Sequence, residues 1–226
     1  MSQSVTSDAG LGSRLADIVG VVGDRQTYRN LLYLVLAFPL GMIYYMVVFF
    51  GFAFGLALSV FVVGLGILLA TAIGVRYLAS FERSLANRLL GTSIADPTDV
   101  DGSDGGIVAT AKAYLTASST WRGLGFVVLK FPIGVLSFVL LVTFLGTGVE
   151  LLLNPVFPAG VFSVEIGGWE VAQSVESTTE RALAVPAGAV LALLGLHITN
   201  AFADVNASIA SSLLGPNGSD GADGSE

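Results

Sequence analysis

The chain of 226 residues has no cysteine and one histidine, His197. Without thiols there is no disulfide frame, no thiolate zinc site and no thiol nucleophile, and one imidazole is a thin start for a metal centre. Charge is nearly as scarce. Asp, Glu, Lys and Arg make up 12% of residues, about half the share of soluble domains. The balance is acidic, with 17 Asp and Glu against 10 Lys and Arg. Phosphate backbones need a basic surface, so nucleic acid is not an expected partner. The phosphate loop GxxxxGK[ST], HExxH and GxSxG are all missing. The lone histidine lies in an apolar run, so the chain is not itself a conventional histidine kinase. These absences predict no catalytic residue, no cofactor and no metal.

What is abundant is apolar. Hydrophobic residues reach 54%, and Leu31 to Val75 is a run of 45 residues without a charge. As one helix it would measure roughly 67 Å at ~1.5 Å per residue, against a hydrocarbon layer about 30 Å thick. It must double back, and Gly51 and Gly55 offer a corner. Spans are expected near 29–50 and 54–76, then from Gly123 to about Leu145, then from about Ala182 to Ala203. Arg14, Arg25, Arg29, Arg76, Arg83, Arg88, Lys112 and Arg122 fall on the side of the termini and Arg181 on the other. By the positive-inside bias both termini are cytoplasmic in a multi-pass cell-membrane protein. No cleavable signal peptide is visible.

The chain also repeats itself. Tyr28 to Gly41 (YRNLLYLVLAFPLG) aligns without gaps on Trp121 to Gly134 (WRGLGFVVLKFPIG). Ser84 to Gly91 (SLANRLLG) aligns on Ser208 to Gly215 (SIASSLLG). The shifts are 93 and 124 residues, the difference being extra sequence in the second half, largely its external loop. The expected fold is all-α and integral to the membrane. Four transmembrane helices form two tandem hairpin repeats related by an axis along the membrane normal, with cytoplasmic amphipathic helices and a small external β-hairpin.

The corresponding organisation is a leader over 1–27 and a first repeat over 28–91. An acidic Gly/Asp linker over 92–106, a second repeat over 107–215 and a disordered tail over 216–226 follow. In the leader, Leu11, Leu15, Ile18 and Val22 have helical spacing and suit an amphipathic helix on the membrane surface. Leu78, Phe81, Leu85 and Leu89 mark one face of the helix trailing the first repeat, with Arg76, Glu82, Arg83 and Arg88 mostly on the other. That helix is expected along the cytoplasmic leaflet. The carboxylate spacing of a calcium loop is absent from the linker: Asp96, Asp99 and Asp101 lack the central glycine and the distal Glu. Externally, Gly167-Gly168 sets a hairpin over about 161–171, and Ser177 with Glu180 fits a capping box.

Several residues are candidates for function, each beside a plainer reading. Lys130 is the one charge well inside a span, and its distance from Arg122 favours snorkelling to the headgroups over pairing with a buried partner. Pro39 and Pro132, each followed by Gly41 or Gly134, are hinge or packing positions. His197, Asn200 and Asp204 form a polar stripe, read as an interhelical hydrogen-bond seam rather than a metal site or proton relay. Glu150 is expected at the interface. Phe162, Val164, Ile166 and Trp169 are the external candidates, as a sensing cover or as a plug.

Arg25 to Gly41 (RQTYRNLLYLVLAFPLG) with its echo at 121–134 resembles the putative sensor domain family, over about residues 25–215. That family comprises four-span domains at the front of histidine kinases and free-standing haloarchaeal proteins. The resemblance implies a sensor, and no functional residue transfers from it. This sequence departs from kinase-linked members by ending at Glu226 with no output module, so signalling would pass through a separate partner. Two Lys beside eight Arg and the acidic balance suit a halophilic, archaeal source. The function expected is a non-enzymatic membrane sensor or adaptor. Its partners would be the lipid bilayer, a cytoplasmic kinase or regulator, and further copies of itself as a homo-oligomer. A small transporter or channel subunit, or a structural scaffold, is the alternative. Transport asks for a polar pathway, and the spans offer chiefly Ser59, Thr71, Ser137 and Thr143.

Overall fold

The computed structural model describes residues 18–98, 113–157, 165–170 and 177–216. Four long apolar helical segments carry it, each long enough to cross a membrane. They are α1 (Arg25–Ala57), α2 (Val62–Leu89), a third run made of α3 (Ser118–Leu140), a π-helical turn (Leu141–Gly146) and α4 (Thr147–Leu153), and α5 (Thr178–Leu214). Only 28% to 33% of each apolar window is buried within the chain. Exposed apolar faces of this extent are stable when the surrounding medium is itself hydrocarbon. The protein is a multi-pass membrane protein on this ground.

The first corner falls later than the glycines suggest. α1 runs on through Gly51 and Gly55, and the chain turns at 58–61. Both glycines face α2. A Cβ at Gly51 would stand 2.3 Å from Thr71, and one at Gly55 would stand 2.5 Å from Leu68. In lipid, small residues mark where helices touch, and here that use overrides their use as turn formers. The segments expected to trail as separate helices are also continuous with the spans, since α2 reaches Leu89 and α5 reaches Leu214 without a break. At ~1.5 Å per residue, the 37 residues of α5 are longer than the hydrocarbon layer is thick.

The chain divides into two compact units. One comprises Tyr33–Leu136 and Ala203–Glu226. Within it α1 and α3 approach until their backbones touch. A Cβ at Gly41 would lie 2.6 Å from the Lys130 carbonyl oxygen, and one at Gly134 would lie 2.4 Å from the Ala37 carbonyl oxygen. Pro39 and Pro132 stand just before these contacts, inside uninterrupted helices. Tyr44, Val48, Val75 and Val127 form a buried cluster, with Phe52 and Leu124 packed against it. The C-terminal end of α5 is held by two guanidinium groups. Arg122 donates to the Ser212 carbonyl, and Arg83 donates to the Leu214 carbonyl at 3.5 Å and pairs with Asp96 at 2.9 Å. Cations at a helix C-terminus are favoured by its unsatisfied carbonyls and dipole.

The other unit comprises Met1–Leu32 and Ser137–Phe202. Here α4 packs on α5 through glycines, a Cβ at Gly188 falling 2.8 Å from the Gly148 carbonyl oxygen. Ser177 and Glu180 make the reciprocal bonds of a capping box at 2.8 and 3.1 Å, which is why α5 begins at Thr178. The two-residue strands β1 (Glu165–Ile166) and β2 (Trp169–Glu170) pair antiparallel, Ile166 opposite Trp169. Gly167 and Gly168 take φ of +62° and +89° between them, conformations that only glycine adopts without strain.

Candidate functional site

The site lies where three helices bring unlike residues to one point. On α1, Tyr33 and Tyr44 are eleven residues apart, three helical turns, and so share a face with Ala37 between them. On α2 the buried stripe is Thr71, Ala72, Val75, Ala79, Glu82, Arg83 and Ala86. On α3, Phe126, Val127 and Lys130 point inward. Small side chains at Ala37, Ala79 and Ala86 let the backbones come near enough for the long polar ones to meet.

Lys130 and Glu82 form an ion pair with Nζ 2.8 Å from Oε2, and both side chains are fully buried. The Lys130 ammonium also donates to the Tyr33 hydroxyl at 2.8 Å, and that hydroxyl donates to Glu82 Oε2 at 3.3 Å. Tyr44 donates to Glu82 Oε1 at 3.0 Å. The carboxylate therefore accepts on both oxygens. The ammonium further sits 4.0 Å from the centroid of the Tyr33 ring and 5.8 Å from that of Phe126. Ring faces are electron-rich and attract a cation most strongly when water is excluded. Every strong donor and acceptor of the group has an assigned partner, which is the condition for holding two charges in a low-dielectric interior.

Lys130 thus does not snorkel. The lysine is near enough to the edge to reach headgroups, but the contact of Gly41 with the Lys130 backbone turns its side chain into the helix interface, where Glu82 waits. Sequence reasoning missed Glu82, Tyr33 and Tyr44, because it places Glu82 on the polar face of a helix lying along the cytoplasmic leaflet. The structure reverses this: Phe81 is 49% exposed while Glu82 is completely buried. In lipid, bulky apolar side chains face outward and small ones face the neighbouring helix. The stripe of small residues through Ala72, Val75, Ala79 and Ala86 was the available signal, and Glu82 falls on it.

The remaining candidates separate. Asn200 accepts from the Asn30 amide and donates to Thr27 Oγ1, both at 2.9 Å, tying α5 to α1. His197 Nε2 lies 3.1 Å from the Ile18 carbonyl oxygen. Asp204 is exposed. Among the described residues no group of three His, Asp or Glu side chains is placed to hold a metal. Glu150 is buried within the chain. Trp169 is exposed, whereas Phe162, Val164 and the leader positions Leu11 and Leu15 lie outside the described residues, as do the side-chain surroundings of Ile166.

The arrangement is a buried, paired charge with two tyrosine hydroxyls, and it ties α1, α2 and α3 together at one point. A family model described as "Putative sensor" matches residues 33–214, a range that begins at Tyr33 and contains all four polar side chains. No curated protein and no solved structure matches the chain.

Proposed function

The chain belongs to the putative sensor family, and from that premise we propose that it is a non-enzymatic membrane sensor that passes a signal to a separate cytoplasmic partner. The carrying observation is the buried Lys130–Glu82 pair with its two tyrosines. Ionisable groups inside a membrane are costly and commonly mark function. A charge pair at 2.8 Å is made or broken by sliding one helix past another, so it divides the packings of α1, α2 and α3 into discrete states. Its neighbour in sequence, Arg83, holds the end of α5 and Asp96. A shift of α2 felt at Glu82 is therefore delivered, one residue on, to the C-terminal helix end and to the linker. Those ends are the surface this reading offers to a kinase or regulator.

The proposal includes the duplicated architecture, both termini and the linker being cytoplasmic. Its support is a set of equivalent contacts at shifts of 93 and 124. Tyr28 Oη donates to the Val22 carbonyl, as Trp121 Nε1 donates to that of Leu115. Asn200 donates to Thr27 Oγ1, as Arg76 donates to Thr120 Oγ1. Gly41 meets Lys130 and Phe131, as Gly134 meets Ala37 and Phe38. In this alignment Lys130 corresponds to Ala37, Tyr33 to Phe126, Tyr44 to Ser137 and Glu82 to Asn206. The ion pair occurs once, so the duplication is symmetric in packing and asymmetric in charge.

The test compares tagged wild-type protein with the E82Q/K130M double variant, purified gently from native membranes. A kinase or regulator enriched over an unrelated four-span control is expected with the wild type, and a changed recovery with the folded double variant. Equal recovery with both proteins, or no cytoplasmic partner at all, overturns the reading.

A further inference from the structure

A long apolar groove opens beside α2, within the unit formed by Tyr33–Leu136 and Ala203–Glu226. Its volume is about 680 Å³, within the roughly 300–1,000 Å³ of small-molecule sites. Along α2 it runs from Val62 to Val75, thirteen residues and so ~20 Å. One leaflet is half of a hydrocarbon core about 30 Å thick, so a single lipid chain fits along it. Phe52 and Leu124 form part of the opposite wall.

The groove is polar at one end only. Thr120 and Trp121 line it there, and the Trp121 indole N–H is turned to the Leu115 carbonyl at 2.9 Å. Arg76 bonds Thr120 Oγ1 at 2.9 Å and Ser119 Oγ at 2.7 Å, and its guanidinium lies 5.1 Å from the centroid of Tyr114. A fixed positive charge thus stands one hydrogen bond behind the wall. The floor is kept open by small residues: a Cβ at Gly66 would meet nothing within 4 Å. At a shift of 124 the second half carries Val190 for Gly66 and Leu196 for Ala72.

We infer that this groove is a binding site for one chain of an anionic membrane phospholipid, its hydrocarbon lying along α2 and its phosphate beside Arg76. The occupant is a lipid because the wall is apolar up to its Thr120 end, opens where bilayer is the solvent, and has a cation behind that end. The inference deepens the sensor reading by naming the class of stimulus. Phe52, Leu124 and Val75 line the groove and also pack with Tyr44, whose hydroxyl bonds Glu82.

Native mass spectrometry of the purified full-length protein tests it. The delipidated protein is titrated with phosphatidylglycerol and, in parallel, with phosphatidylcholine of the same chains. One phosphatidylglycerol is expected to be retained at least tenfold more tightly than phosphatidylcholine, and retention is expected to fall at least tenfold in G66V. Gly66→Val places in the groove the side chain that the second half already carries, so folding is expected to survive. R76Q is expected to abolish the headgroup preference while keeping residual binding of both lipids. Retention unchanged by G66V, equal retention of the two lipids by the wild type, or a protein dimer in place of a lipid adduct overturns the inference. Each of these leaves the sensor reading standing, since that reading is decided by partner recovery and not by lipid retention.

Discussion

Lys130 carries the largest single-residue consequence in the molecule. Removing one member of a buried, hydrogen-bonded ion pair leaves the other charge without compensation and costs about 3–5 kcal/mol, while removing both together is often close to neutral. K130M and E82Q are each expected to lose stability on that scale, and E82Q/K130M to regain most of it, read as thermal unfolding of the detergent-solubilised protein. Additive losses in the double variant would show that the two groups do not act as a pair. The Tyr44 hydroxyl contributes less. Tyr44→Phe keeps the ring in its cluster with Val48, Val75 and Val127 and removes one hydrogen bond to a charge, worth about 1.5–3 kcal/mol. A destabilisation below that of either single charge variant is expected in the same assay.

At the scale of elements, the helices are held by close approach rather than by large cores. Gly134→Ala drives a methyl group into the Ala37 carbonyl oxygen, well inside van der Waals contact. The α1–α3 contact must open, at the ~1–3 kcal/mol typical of overpacking, and the same unfolding measurement should register it. Gly66→Ala, with nothing in its way, should change stability little. A different cause governs the end of α5, where Arg83 and Arg122 hold the last carbonyls. R122A is expected to speed amide exchange over 208–214 and leave exchange in α1 unaltered. The four apolar runs were legible because lipid demands long uncharged stretches. The capping box at Ser177 and the Gly-Gly turn were legible because their chemistry is local. The face that α2 buries was not, since amphipathicity has the opposite sense in lipid, and neither was the corner at 58–61. Glycine marks turns and close helix contacts alike, and composition does not tell the two apart.

At the scale of the whole molecule, the arrangement proposed above makes a commitment about sidedness. In that proposal four spans return the chain to the side on which it began, and the excess of Arg at Arg25, Arg29, Arg76, Arg83, Arg88 and Arg122 is the ground for assigning that side to the cytoplasm. The absence of cysteine makes the commitment directly measurable, because any introduced thiol is the only one present. Ser177 and Thr98 are both exposed, and neither touches the buried charges. Ser177→Cys, ahead of α5, is expected to react with a membrane-impermeant maleimide in intact cells. Thr98→Cys, in the segment after α2, is expected to react only after the membrane is permeabilised. Labelling of both in intact cells would mean that one long helix does not cross, and the reverse pattern would turn the protein over. In that case Arg83, Asp96 and the end of α5 would face outward, a cytoplasmic partner could not reach them, and the signalling route through Glu82 and Arg83 would be lost with the topology.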